Sequence, residues 1–201
     1  MNARRLAFVS TLLVLLAGCA TGYALVTPGT VVVDDLQLDA AGAWNRAPSQ
    51  ATPSARRGTE VWTRDGLLLN RFMIIPGVPD GEPLFRDREE RAALPAFSAD
   101  MLPNELEELL RSSVTKLYGE GASSVRTANL RPQRFADHRG ILLDLEIALG
   151  AGPDYRGLAG SFIAEGELYV LLYVAAVPFY YEKALPDAES MVTSAKLALP
   201  Q

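Results

Sequence analysis

Between Leu168 and Val177 ten consecutive residues carry no charge and no polar group beyond the hydroxyls of Tyr169 and Tyr173. Rich in β-branched and aromatic members and preceded by Glu165-Gly166, the run reads as a strand. At a period of two, Leu168, Val170, Leu172 and Val174 face one way, and Tyr169, Leu171, Tyr173 and Ala175 the other. A strand apolar on both faces has to be covered on both faces, which places it centrally in a sheet with further layers above and below.

The neighbouring segments supply the sheet. Arg156 to Ala164 and Glu167 to Val177 flank Glu165-Gly166 as a tight hairpin. Gly140 to Leu149 alternates, with Ile141, Leu143, Leu145, Ile147 and Leu149 on one side and Asp144 and Glu146 on the other. Ser124 to Leu130 reads as one more strand, followed by a loop through Arg134-Phe135 and Asp137 to Arg139. Upstream, Glu60 to Arg64 and Leu67 to Ile75 flank Asp65-Gly66, the pattern of a two-residue type I′ turn. Asn104 to Tyr118 is predicted as a helix, capped by Asn104 with Glu107 three residues on, and ended by Gly119. A last helix is expected from about Pro186 to Leu197, with Pro186 in its first turn. Val78 to Phe97, with Pro79, Pro83, Pro95 and the charged cluster Arg86 to Arg91, reads as a long surface excursion. The class that follows is α+β, a curved antiparallel sheet packed with a middle helix and a C-terminal helix.

The N-terminal third reads differently. Arg4 and Arg5 precede an apolar run from Leu6 to Ala17, about 12 residues and too short to span a bilayer. It ends in Leu16-Ala17-Gly18-Cys19, which resembles the lipobox of bacterial lipoproteins. That resemblance implies a signal peptide over 1–18, diacylation of Cys19, and a mature chain of 183 of the 201 residues facing the periplasm. Ala20, where an Asp would imply retention at the inner membrane, implies the outer membrane. From 19 to 58 the chain is small and polar and reads mostly as a tether, with a short strand near 30–38 and Trp44 reaching the core. The globular domain is expected over 59–201.

Charge and cysteine count exclude several classes of function. Loss of Arg4 and Arg5 would carry the formal charge from −5 to −7, the wrong sign for sequence-independent nucleic-acid binding or for attraction to anionic headgroups. Membrane attachment therefore rests on the lipid. Cys19 is the one cysteine, so acylation leaves no disulfide, thiol nucleophile or thiolate metal site.

The order of strands and helices is similar to the PsbP-like fold shared by the photosystem extrinsic protein PsbP and the nuclear-import factor Mog. Trp62-Thr63-Arg64-Asp65-Gly66, the later long hairpin and the terminal helix also resemble a group of proteobacterial lipoproteins. The resemblance spans roughly Thr30 to Leu197. It implies a small partner-binding domain without catalysis and carries over no functional residue.

The residues themselves offer little chemistry. His138, the one histidine, lies between Asp137 and Arg139 and reads as a turn residue. Ser161, in Ala159-Gly160-Ser161-Phe162-Ile163, lacks the glycine spacing of a nucleophile elbow. Asp34-Asp35, Asp80-Gly81-Glu82 and Glu107-Glu108 lack the spacing of metal sites or of a facing acid/base pair. No catalytic residue, metal site or cofactor is expected. Two features remain as candidate partner or ligand sites. Asp144 and Glu146 share a strand face near arginines 126, 131, 134, 139 and 156, as a polar groove or as ordinary cross-strand pairs. Phe179, Tyr180 and Tyr181 cluster after the central strand, as a docking loop or as a closing core layer. The expected function is a lipid-anchored, non-catalytic module docking on an envelope protein. The alternative is a carrier of a small hydrophobic ligand.

Overall fold

The computed structural model describes residues 22–86 and 93–198. The expected signal peptide, Cys19 and most of the charged cluster lie outside that range. In chain order the elements are β1 (Ala24–Val26), β2 (Gly29–Val33), β3 (Leu36–Ala40), β4 (Trp44–Arg46), β5 (Glu60–Thr63), β6 (Asn70–Val78), α1 (Pro103–Tyr118), β7 (Ala122–Phe135), β8 (His138–Leu149), β9 (Tyr155–Ala164), β10 (Glu167–Ala176), α2 (Phe179–Thr193) and β11 (Lys196–Leu197).

Eight strands form one antiparallel sheet in the order β1-β4-β5-β6-β10-β9-β8-β7, and β11-β3-β2 form a second, smaller one. β10 lies inside the large sheet between β6 and β9, as its two-faced apolarity demands. Tyr169, Leu171, Tyr173 and Ala175 enter one core with α2 and the small sheet, while Leu168, Val170, Leu172 and Val174 enter a second core with α1. The β9–β10 hairpin turns as expected on Glu165 and Gly166, both at positive φ (53° and 82°). α2 sits close on the sheet because Gly160 leaves room for Val192, where a Cβ would overlap it.

Several expectations give way. The segment expected to be mostly tether contributes four strands, with the short strand near 30–38 realised as β2 and β3. Trp44 is wholly buried, and Val33, Leu36 and Leu38 share its core. β1 and β4 are three residues each, too short for a periodicity to show, and are held by pairing, β1 with β4 and β4 with β5. The excursion from Val78 is likewise no mere surface arm, since Leu84, Phe85 and Phe97 are buried against α1 and the sheet. β7 runs on to Phe135 through a bulge at Asn129 (φ 52°), and the turn shrinks to Ala136-Asp137.

Helix ends also move. α1 is capped two residues earlier than expected: Leu102 takes the N-cap position, Pro103 opens the helix, and the Glu105 carboxylate accepts the Leu102 N–H at 2.7 Å. α2 begins at Phe179 rather than Pro186, which lies inside it, and stops at Thr193 so that Lys196 and Leu197 can pair with β3. An internal proline removes one helical hydrogen bond. Burial of Tyr181 and Ala184 ahead of it and Ala188, Met191 and Val192 beyond it makes one continuous face that overrides this loss. The Tyr173 hydroxyl fastens the first turn, 2.9 Å from the Tyr180 carbonyl and 3.1 Å from that of Tyr181.

Candidate functional site

The segment Trp62-Thr63-Arg64-Asp65-Gly66 builds a structural hub rather than a two-residue turn. Asn70, buried at the start of β6, accepts the Arg64 backbone N–H at 2.8 Å through its side-chain oxygen, and its Nδ2 donates to Asp65 at 2.6 Å. The Thr63 hydroxyl accepts the Gly66 N–H at 2.9 Å and donates within reach of Asn70. These side-chain bonds hold a six-residue connection, 64–69, in place of the tight turn. The two charges of the segment then point at α2: Arg64 pairs with Asp187, and Asp65 accepts Lys183 Nζ at 2.6 Å. Arg64 also donates from Nε to the Ala43 carbonyl (3.1 Å) and stacks 4.5 Å from the Trp44 ring centroid. The motif that carried the family likeness thus ties β4, β5 and α2 together.

The connection 64–69 meets two others at one end of the large sheet. Ala176 N–H donates to the Leu69 carbonyl at 2.9 Å, Val177 N–H to Asp154 at 3.0 Å, and the Tyr155 hydroxyl to the Leu68 carbonyl at 2.7 Å. On this end Leu68 is 81% exposed and Phe179 is 64% exposed, with Lys183 Nζ 5.8 Å from the Phe179 ring. Tyr180 is half-buried, edge-on to Phe179 at 5.3 Å. Tyr181 points the other way, 6% exposed and stacked 5.6 Å from Tyr173, so it leaves the candidate docking surface. Burial, with the charges of Asp144 and Glu182 behind it, pushes the Tyr181 phenol up to about 12, and burial pushes that of Tyr173 up as well. Both stay protonated at neutral pH and act as core residues. The three aromatics therefore divide along a helix: one outside, one at the boundary, one within.

The polar candidates resolve into pairs. Asp144 accepts Asn129 Nδ2 at 2.7 Å and Arg131 at 3.2 Å. Glu146 stands in register between Arg126 and Arg156, and Arg156 lies 3.8 Å from Glu182. Arg134 and Arg139 pair with each other in register on the opposite face from Asp144. The solvated Asp144–Arg131 and Arg156–Glu182 ion pairs are worth under about 1 kcal/mol each. His138 stacks on Phe162 at 5.6 Å, on the α2 face. Ser161 is fully buried on the α1 face, so the sheet itself separates the two. Among the described residues, no group of three His, Cys, Asp or Glu side chains is placed to hold a metal ion.

One apolar cleft lies on the α1 side, about 190 Å³, lined by Val61, Leu67, Met73, Phe85 and Leu117 with Arg71 beside them. The Arg71 guanidinium is occupied by the Tyr118 hydroxyl. Leu68, at the rim of this cleft and the most exposed large apolar residue described, was not anticipated as a surface residue. Its only sequence signal was the Asp-Gly turn, which a hairpin reading puts inside a strand.

No family model matches the chain, and no curated protein matches it. Among solved structures it is similar to the solution structure of cyanobacterial PsbP (CyanoP) from Synechocystis sp. PCC 6803, at 10% identity and a TM-score of 0.53, over 90% of this chain and 95% of that one. A second match, LpqN of Mycobacterium tuberculosis, involved in cell envelope biogenesis, has 11% identity and a TM-score of 0.35, over 91% of this chain and 88% of that one. The likeness to CyanoP shows the fold, which is the PsbP-like α+β fold expected from the order of elements.

Proposed function

We propose that the protein is a non-catalytic accessory module of the cell envelope, anchored by a lipid on Cys19 and docking on an envelope protein through the end of the sheet that carries Phe179 and Leu68. The observation behind this reading is the contrast between that end and the remaining candidates. Asp144 is paired with Arg131, Glu146 stands in register between Arg126 and Arg156, Tyr181 belongs to the core, and His138 and Ser161 lie on opposite faces. Phe179 and Leu68 combine exposure with a rigid mount, one on a helix start fixed by Tyr173 and the other on a connection fixed by Asn70. Large apolar side chains held rigidly at a surface are the usual anchors of protein interfaces.

A carrier of a small hydrophobic ligand is the second reading, favoured by the cleft beside Arg71. At about 190 Å³ it is smaller than the roughly 300–1,000 Å³ of most ligand sites, though an apolar cavity of about 150 Å³ can hold benzene. It suits a single ring or a short acyl stub.

Photo-crosslinking in intact cells tests the first reading. A photoreactive residue at Phe179 is expected to give one dominant protein adduct that the same residue at Leu130, on β7, does not give. Equal labelling from both positions, or lipid adducts alone at Phe179, would contradict docking through this end.

A further inference from the structure

The first strand of the described fold lies close in sequence to Cys19. β1 starts at Ala24 and is the edge strand of the eight-stranded sheet, paired through Ala24, Leu25 and Val26 to β4. Five residue steps separate Ala24 from Cys19, and an extended chain covers at most about 3.6 Å per residue, so they span no more than about 18 Å. A lipid on Cys19 would leave the domain almost no tether. Tyr23 and Leu25, at the end of this short lead, are 51% and 66% exposed.

We infer that the β1 edge of the sheet rests on the bilayer that holds the lipid, with Tyr23 and Leu25 as its contacts at the headgroup level. This rests on the acylation of Cys19 proposed above and adds the orientation of the domain. The chemistry fits that depth. Tyrosine is favoured at membrane–water interfaces, where its ring and hydroxyl meet different surroundings. Among the described residues β1 has no strand on its outer side. Its outward backbone groups therefore keep water or headgroups as partners and cannot enter the hydrocarbon. The acidic chain also gives no electrostatic attraction to anionic lipid, so the contact is one of short leash and apolar side chains. β7 forms the opposite edge, seven strand spacings away or about 33 Å, and points to the aqueous side.

The test uses the full acylated protein reconstituted in phosphatidylcholine vesicles containing brominated lipid. The two native tryptophans, Trp44 and Trp62, are fully buried and give the background. Leu25→Trp is expected to emit at shorter wavelength than in detergent-free water and to be quenched several-fold more than Leu130→Trp. Tyr23→Trp serves as a second reporter should Leu25→Trp perturb the edge. Equal, weak quenching at 23, 25 and 130 with the acyl group present would overturn the orientation and leave the anchoring intact. Absence of the acyl group by mass spectrometry would overturn both.

Discussion

Trp44→Ala is expected to destabilise the protein by about 3–5 kcal/mol, read as a lower urea midpoint. For a domain of this size that corresponds to a melting temperature lower by roughly 6–20 °C. The side chain is wholly buried, 5.9 Å from Phe72 and edge-on to Tyr173 at 6.4 Å, so truncation opens a cavity at the junction of the two sheets. Its indole N–H has no protein partner, so the loss is one of packing and Trp44→Phe should cost less, about 1–2 kcal/mol. On a tether the same substitutions would be silent.

Arg64→Ala should cost about 2–3 kcal/mol. The change removes three interactions at once: the pair with Asp187, the bond to the Ala43 carbonyl and the stacking on Trp44. The two side chains are 19% and 33% exposed, which holds the effect below the 3–5 kcal/mol of a fully buried pair. Space is shaped for this residue, since a Cβ at Gly42 would overlap the guanidinium. Arg64→Lys retains the charge without the planar fork and should recover only part of the loss. In a double-mutant cycle with Asp187→Ala, a coupling of about 1–2 kcal/mol is expected. Additivity would show that the two residues contribute independently.

What could be read from the sequence follows from how locally each element is determined. β8, β9 and β10 are long enough for a two-residue period to show which faces are apolar, and the two-sided character of β10 places it inside the sheet. α1 declares itself by its stripe from Leu106 to Val114, although its cap is supplied by Glu105 rather than Asn104. β1 and β4 stay hidden because three residues carry no period and their partners are far along the chain. The start of α2 is obscured by Pro186, a common helix opener that here lies midway along a buried face. The candidate site suffers from the same blindness. Phe179, Tyr180 and Tyr181 are adjacent in sequence, and only the helix phase separates the outward ring from the inward one. Leu68 is exposed because Asn70 replaces a tight turn by a longer connection, a choice made by one buried amide.

Both the docking end and the orientation on the membrane depend on residues 24–46 being part of the folded unit. Native-state hydrogen exchange tests this directly. The amides of Val26, Trp44 and Arg46 are expected to be protected within the same cooperative unfolding as those of β10. Exchange at the rate of an unstructured chain across 24–46, with β6 to β10 still protected, would contradict the account and restore a long tether.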